Sequence, residues 1–287
     1  MSRSSRRGLL ALVVALALGA TGCRDTAKVD VDRATSSVGF LAETVDRDVA
    51  EVRTGLPAGA AVVAAIWKSQ PELAADPGAL RGALLDARAK VQDLRIAKAT
   101  FFALSDPGFV VLRNDQEQDR MAGRPLLGAF PALTTARTSY VEALGSLPEA
   151  SGVREGRPDA QWVAGSPVSV DGSVRGIYLA GWSLSAYAYR LEFALRGKLR
   201  SELLERPTDN EPLVYVLLIT GSGVYGAPVS PEVSREEVAR RGVLGRLTGD
   251  AVAAEHFEIS GRGFGLAARR VPALGPDVAV AVLHSET

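Results

Sequence analysis

Three glycines form the pattern in this chain that most resembles a known chemical site. The stretch "LVYVLLITGSGVYGAP" over residues 213–228 places Gly221, Gly223 and Gly226 in G-x-G-x-x-G spacing. This pattern binds a dinucleotide pyrophosphate when the third glycine opens a helix. Here two prolines follow within the next five residues, and they disfavour a helix that begins at the glycines. We therefore predict a turn between two strands and no nucleotide site.

Histidine and serine chemistry has little support in the sequence. The chain contains two histidines, His256 and His284. His256 and Glu258 share one face of a predicted strand, but two ligands are too few for a metal site. No G-x-S-x-G motif places a serine nucleophile. The sequence predicts a surface or core role for His256, no metal, no cofactor and no enzymatic activity.

Aromatic and small residues alternate on one face of a predicted strand. Between Val174 and Trp182 that face carries Val174, Gly176, Tyr178, Ala180 and Trp182. Small positions between rings leave room over a sheet, and Tyr and Trp both pack against ligands and hydrogen-bond them. Trp162, on the preceding predicted strand, is a candidate cross-strand neighbour. Two interpretations stay open: a ligand-binding face, or rings that pack against an N-terminal helix.

A charged segment, "RNDQEQDRMAGR" over residues 113–124, is the second candidate for ligand binding. Its side chains Arg113, Asp115, Asp119 and Arg124 can recognise a small carboxylate or amine through charge-assisted hydrogen bonds. The alternative is a solvated loop with local ion pairs.

The N-terminus has the three-part layout of a secretory signal. Basic residues precede an apolar run too short to span a bilayer comfortably, and small residues follow. The segment "LGATGC" resembles the lipobox of bacterial lipoproteins, and Cys23 is the single cysteine of the chain. We expect lipidation of Cys23, which would attach the protein to a membrane without crossing it. A transmembrane anchor is the alternative, and "SRRGLL" leaves twin-arginine export open. Arg24 stands where a retention aspartate would sit, which favours the outer membrane if the cell has one.

Composition describes an ordinary folded protein. Hydrophobic residues make up 47% of the chain, charged residues 23%, and 33 basic residues balance 33 acidic ones. Because there is no basic excess, we expect no nucleic-acid partner.

The elements that must position these residues change character along the chain. The N-terminal third is predicted to be helical, with helices over residues 31–53, up to about residue 67, and from residue 78 to about 99. Gly55 and Pro57 predict the first break, and Gln70–Pro71 predicts the second.

From Thr100 the sequence reads as two similar halves. Two strands joined at Asp106–Gly108 precede a predicted helix over residues 129–147, a strand pair around Asp171-Gly172, and a long amphipathic helix. The second half repeats strand, glycine turn, strand, helix and further strands, with a last turn near Gly275.

This arrangement resembles the Cache family, the extracytoplasmic relatives of PAS domains in bacterial receptors. The stretches that look alike begin "FFALSDPGFVVLRNDQ", "GSPVSVDGSVRGIYLAGWSL" and "FGLAARRVPALGPDVAVAVL". The resemblance implies a pocket whose floor is the sheet carrying Tyr178 and Trp182, with the loop over residues 113–124 as its cover. Unlike the family, this chain is expected to have no second membrane span and no cytoplasmic portion, so it would bind a ligand without signalling across the membrane alone.

The sequence therefore predicts an α+β protein with long N-terminal helices and two PAS-like antiparallel sheet units, double Cache-like. We expect a small-molecule sensor or binding module on a lipid anchor; the alternative is an envelope lipoprotein that uses this fold to contact an envelope or receptor protein. A pocket over Tyr178–Trp182 would favour the sensor, and a filled first unit with an exposed apolar patch would favour the scaffold. The expected divisions are a signal peptide at 1–22, a tether at 23–30, a helical region at 31–99, a first unit with its connecting helix at 100–206 and a second, smaller unit at 207–287.

Overall fold

Two five-stranded antiparallel sheets lie along one long helix. The computed structural model describes the backbone of residues 5–150, 152–153, 159–205 and 211–286, and the side chains of these residues from Thr26 onward. The helices are α1 (Ser5–Ser69), α2 (Pro77–Lys90), α3 (Gln92–Ile96), α4 (Leu184–Leu204) and α5 (Glu232–Arg240). The predicted signal peptide and Cys23 lie outside the residues whose side chains are described.

An apolar stripe explains why α1 packs against both sheets. Its buried residues recur every three or four positions, which places them on one helical face. They are Ala34, Val38, Leu41, Val45, Val49, Val52, Leu56, Ala60, Val63 and Trp67. Thr26–Ser69 is also, by length and composition, a helix that could cross a membrane. However, a buried core helix passes the same test, and this stripe is part of the core.

The predicted break at Gly55–Pro57 is wrong, because α1 continues through Pro57 to Ser69. A proline inside a helix costs about 3 kcal/mol or more. Burial of each large apolar side chain contributes about 1.5–3 kcal/mol, and Leu56, Val63 and Trp67 are all buried around or beyond the proline. Packing therefore outweighs the local cost. The predicted end of this helical stretch near Gln70 is confirmed.

Two other parts of the N-terminal region differ from the prediction. The segment expected to be a tether is helical, and Asp30 within it is buried. The helix expected from residue 78 to about 99 is interrupted at Val91, whose backbone is extended with φ −98° and ψ 115°. Asp76 caps α2 by accepting hydrogen bonds from the backbone N–H groups of Gly78 and Ala79 at 2.8 and 3.1 Å.

The first unit contains strands in the order β2-β1-β5-β4-β3. They are β1 (Phe101–Ser105), β2 (Val111–Asn114), β3 (Val141–Gly145), β4 (Gln161–Val170) and β5 (Ser173–Ser183). The turns at Asp106–Gly108 and Asp171-Gly172 are confirmed. The helix predicted over residues 129–147 is wrong: a 3-10 helix, Pro131–Arg137, is followed by the edge strand β3, because Val141–Gly145 pairs with β4.

The second unit repeats this order as β7-β6-β10-β9-β8. Its strands are β6 (Leu213–Thr220), β7 (Gly223–Gly226), β8 (Ala253–Ile259), β9 (Arg262–Arg270) and β10 (Ala279–Ser285). Helix α1 crosses β9 so closely that a Cβ on Gly265 would lie 2.3 Å from the backbone of Asp30. A glycine is therefore required at this crossing.

Candidate functional site

The predicted aromatic face lies in the core beneath α1. Trp162 and Trp182 are register partners on β4 and β5, as predicted, and their rings stack with centroids 4.4 Å apart. Trp182 also stacks on Tyr187 of α4 at 4.6 Å. Trp162, Tyr178 and Trp182 are all at most 1% exposed. Tyr178 packs so near α1 that a Cβ on Gly59 would lie 2.6 Å from its ring.

The rings therefore pack against the N-terminal helix, as the alternative interpretation predicts. Three of their polar atoms, the Trp162 and Trp182 indole nitrogens and the Tyr178 hydroxyl, are buried without a hydrogen-bond partner among the described residues. Burial raises the pKa of Tyr178 far above its ordinary value, and the carboxylate of Asp115 adds to this effect.

The opposite face of the first sheet is also filled. Ile177 and Leu179 of β5 point into a second apolar cluster together with side chains from the loops that cover the sheet. Phe109, Met121 and Phe130 are among these covering residues, and all three are almost fully buried. Both faces of the sheet are thus occupied by protein side chains.

The charged segment 113–124 is tied into the protein through internal contacts. Arg113 pairs with Asp119 at 3.0 Å, and Arg124 pairs with Glu149 at 3.4 Å. Asp115 is buried and accepts a hydrogen bond from the Phe102 backbone N–H at 3.0 Å. These charges stabilise the loop and its junction with β1, so the local ion pairs of the alternative interpretation are present.

The glycine pattern forms the predicted strand turn. Thr220 and Gly223 are the last paired residues of the β6–β7 hairpin, and no helix begins until Glu232. The prediction of a turn is confirmed. The Ser222 backbone N–H donates to the Thr220 hydroxyl at 3.1 Å, which fixes the turn locally.

Both histidines lie beside Asp30, near the start of the part of α1 whose side chains are described. His284 Nδ1 is 3.6 Å from Asp30 Oδ1, and His256 Nε2 is 3.9 Å from Asp30 Oδ2. Asp30 Oδ1 also accepts the backbone N–H of Glu286 at 2.8 Å. In the described part of the chain, no group of three or more His, Cys, Asp and Glu side chains is arranged to hold a metal ion. This cluster ties α1 to the second sheet.

A surface cavity among the described residues lies between the sheet units. This inter-unit cavity has a volume of about 560 Å³, and the glycine turn lies on its wall. Its polar groups already have partners. The Ser222 hydroxyl is 2.8 Å from that of Thr220 and 3.0 Å from that of Tyr225, and Asp159 Oδ1 accepts the Ser185 backbone N–H at 3.3 Å.

Another cavity, the helix groove, lies between α1 and α4 and has a volume of about 490 Å³. Its lining consists of Thr44, Arg47, Asp48, Lys98, Tyr189, Arg190, Leu191, Phe193 and Ala194. The wall on α4 is apolar, and Phe193 and Tyr189 are 71% and 49% exposed. The charge comes from Arg47 and Asp48 on α1, from Lys98, and from Arg190 on α4.

The lining of the helix groove contains more positive than negative side chains. Asp48 is buried at its base and accepts a hydrogen bond from the Tyr187 hydroxyl at 2.9 Å. Burial raises the pKa of Asp48 above its ordinary value, while Tyr187 and Arg47 lower it. Arg190 donates to the Lys98 backbone carbonyl at 2.6 Å. Burial lowers the pKa of Arg190, and the positive charge of nearby Arg88 lowers it further. A ligand with negative charge would meet three cations here.

Sequence reasoning missed the helix groove because its lining comes from three separate segments. Residues 44–48, Lys98 and residues 189–194 are brought together only by the crossing of α1 and α4. The one available signal was the exposed pair of aromatics on a helix that is otherwise amphipathic.

Comparison with solved structures places this geometry in a recognised fold. The extracellular domain of the proposed histidine kinase vpHK1S-Z8 is similar with a TM-score of 0.58 and 8% identity, covering 92% of this chain and 93% of that one. A domain of a proposed sensory box/GGDEF family protein from Vibrio parahaemolyticus gives 0.55 and 10%, covering 91% and 98%. The ligand binding domain of Mlp24 with asparagine gives 0.50 and 14%, covering 91% and 95%.

The predicted fold class is therefore confirmed: a long N-terminal helix followed by two antiparallel five-stranded sheets, as in double Cache-like sensor domains. No family model matches the sequence, and no curated protein matches it either. The structural likeness defines the fold, and function has to be argued from this chain's own residues.

Proposed function

We propose that this chain is a lipid-anchored, extracytoplasmic module that binds a small molecule as a sensor. The observation that supports it most is the fold, which extends over nine-tenths of the chain in structures of extracellular and ligand-binding sensory domains. The helix groove supplies a cavity of a size typical for small ligands. We propose no catalytic activity and no cofactor.

The binding function is tested by thermal shift of the purified full chain against a library of small metabolites. A ligand that binds only the native state raises the melting temperature, by an amount that grows with ligand concentration. We expect at least one compound to do so in a saturable manner. A library in which no compound raises the melting temperature would contradict the proposal.

A second candidate, a scaffold that contacts another envelope protein, has its own support. The first unit is filled on both faces, and α4 exposes Phe193 and Leu204, the latter to 85%. A photo-crosslinking residue placed at Phe193 in cells tests this function, with Arg175, on the β4–β5 hairpin, as the control position. One protein crosslinked at 193 and not at 175 would favour the scaffold; the absence of such a product would favour the sensor.

The lipid anchor is a proposal that rests on the N-terminal sequence. Cys23→Ala should release the protein from membranes into the soluble envelope fraction, because acylation requires the thiol. If the variant still sediments with membranes after a high-salt wash, another part of the chain holds it there. Separation of the two membranes on a density gradient tests the outer-membrane location that Arg24 suggests.

A further inference from the structure

We propose that the helix groove binds an organic anion with an apolar body, such as a carboxylate on an aromatic or alkyl group. This inference rests on the proposed small-molecule function and names the ligand class. It assigns the negative group to Arg47, Lys98 and Arg190, and the apolar body to the α4 wall at Tyr189 and Phe193.

The three cations of the helix groove are attracted by Asp48, and Arg47 and Lys98 also by Glu51, without direct pairing. Within the described part of the chain, Arg47, Lys98 and Arg190 form no ion pair with a carboxylate. Arg53, by contrast, pairs with Glu142 at 2.6 Å. Arginine carries five N–H donors, and Arg190 uses one of them in its hydrogen bond to the Lys98 carbonyl. Donors therefore remain for an anion.

Asp48 and Glu51 are the acids that could neutralise the groove internally. Asp48 is the one carboxylate among the lining residues, and it is occupied by the Tyr187 hydroxyl. Glu51, one turn further along α1, has a buried oxygen without a hydrogen-bond partner and attracts Arg47 and Lys98 from outside the lining. Three cations against one engaged carboxylate leave the lining with a net positive charge, which favours an anion over a neutral or cationic ligand.

The apolar wall of the helix groove lies on α4. Leu191 and Ala194 form its base, and the rings of Tyr189 and Phe193 project beside it. Aromatic rings provide large, rigid contact area for another apolar group. A cavity of about 490 Å³ lies within the usual range of small-molecule sites, about 300–1,000 Å³. Inorganic anions would leave this wall exposed, whereas an amphipathic anion covers it.

The inter-unit cavity does not meet these conditions. Its hydroxyl groups bond to one another, and Asp277 on its wall pairs with Arg270 at 3.4 Å. Its satisfied polar groups give a charged ligand fewer free partners than the helix groove does.

Titration calorimetry of the full chain tests the ligand class with three probes of matched shape: phenylbutyrate, phenylbutanol and phenylbutylamine. We expect the carboxylate to bind at least about tenfold more tightly than the alcohol, and the amine not at all. Arg47→Gln and Lys98→Gln should each weaken carboxylate binding about tenfold. Phe193→Ser should weaken it as well, because the wall loses its most exposed ring. Arg175→Gln is the matched control and should bind as the wild type does, because Arg175 is exposed on the β4–β5 hairpin and forms no ion pair with any described residue.

Four results would overturn the inference. Equal binding of the carboxylate and the alcohol would show that charge does not select the ligand. If phenylbutyrate does not bind, and a library compound raises the melting temperature equally in wild type and Arg47→Gln, the ligand site lies elsewhere and the proposed function stays intact. A dimer in solution that Phe193→Ser dissociates would show that the groove is occupied by a second copy of the chain. If no compound binds at all, both proposals fail together.

Discussion

In the first sheet unit, strand β5 presents Tyr178 and Trp182 to helix α1, whereas the corresponding strand of the second unit, β10, presents Val280 and Val282. The strand order is the same in both units, so the topology does not require the aromatic residues. Helix α1 also buries one carboxylate beside each unit. Asp48 meets a tyrosine hydroxyl near the first, and Asp30 meets two histidines and a backbone N–H at the second.

This comparison separates the roles of the two units. The first gains its stability from a stack of large rings, while the second has small apolar residues and places titratable groups under the helix. We infer that mutations in the first unit have the larger effects on stability. We also infer that titration of Asp48, near the first unit, and of His284, in the second, changes the free energy of unfolding in opposite directions as the pH falls.

The largest expected effect follows from the ring stack. Trp182→Ala should lower the free energy of unfolding by about 3–5 kcal/mol, because it leaves a cavity between Trp162 and Tyr187. Val282→Ala, at the corresponding strand of the second unit, should cost about 1–3 kcal/mol. Urea unfolding of both variants measures the two values. Equal losses in the free energy of unfolding would contradict the proposed difference between the two units.

The next prediction tests whether the first unit has space over its sheet. Ala180 is fully buried and lies on the α1 side between Tyr178 and Trp182. Ala180→Leu should overpack this core and cost about 1–3 kcal/mol. Ala267→Leu makes the same change on the α1 side of the second unit and should cost a similar amount. An unchanged stability for Ala180→Leu alone would mean that room for a ligand exists over this sheet, as the sequence first suggested.

Sequence prediction is correct for features that depend on local interactions and wrong for features that depend on contacts between distant parts of the chain. Turns such as Asp171-Gly172 depend on local backbone chemistry, and the strand pairs around them were predicted correctly. Pro57 gave the wrong prediction because its local cost is smaller than the burial of the α1 stripe, which involves sheets far along the chain. Val141–Gly145 was assigned to a helix because an edge strand with one partner has a weak pattern of its own.

The candidate site shows the same limit. Alternation placed Tyr178 and Trp182 on one face and Trp162 opposite Trp182, which is correct. Alternation cannot show what covers a face, and α1 covers this one. The helix groove requires knowledge of where α1 and α4 cross, and no motif in residues 44–48 or 189–194 carries that information.

A smaller effect is expected at the carboxylate near the first unit. Tyr187→Phe keeps the ring stack but removes the hydroxyl that donates to Asp48, and a buried group that loses its partner costs about 1–3 kcal/mol. Burial raises the pKa of Asp48 because it disfavours the charged carboxylate, and the hydrogen bond from Tyr187 stabilises that charged form. The cost should therefore be greater at pH 8 than at pH 5. Tyr189→Phe on the same helix is the control, since Tyr189 is half-exposed; the same cost for both variants would contradict the role of the hydroxyl.

The smallest and most specific effect concerns His284 in the second unit. Its side chain is buried, with Nε2 3.8 Å from Glu286 and Nδ1 3.6 Å from Asp30, and His256 and Arg33 lie around the same carboxylates. Burial lowers the pKa of His284, and the attraction of Glu286 and Asp30 only partly offsets this. In the unfolded chain a histidine has a pKa of about 6.5.

As the pH falls through about 6.5, the unfolded chain binds a proton before the native protein does, so the contribution of His284 to stability is lost. One proton gives a slope of at most about 1.4 kcal/mol per pH unit.

His284→Asn cannot titrate, and its free energy of unfolding should fall less than that of the wild type between pH 7.5 and 5.5. The buried carboxyls Asp48, Asp159 and Glu192, whose pKa values are raised by burial, act in the opposite direction. They are present in both proteins, so the difference between the two pH profiles isolates the histidine. Parallel profiles, or a steeper fall in the variant, would show that His284 does not carry this pH dependence.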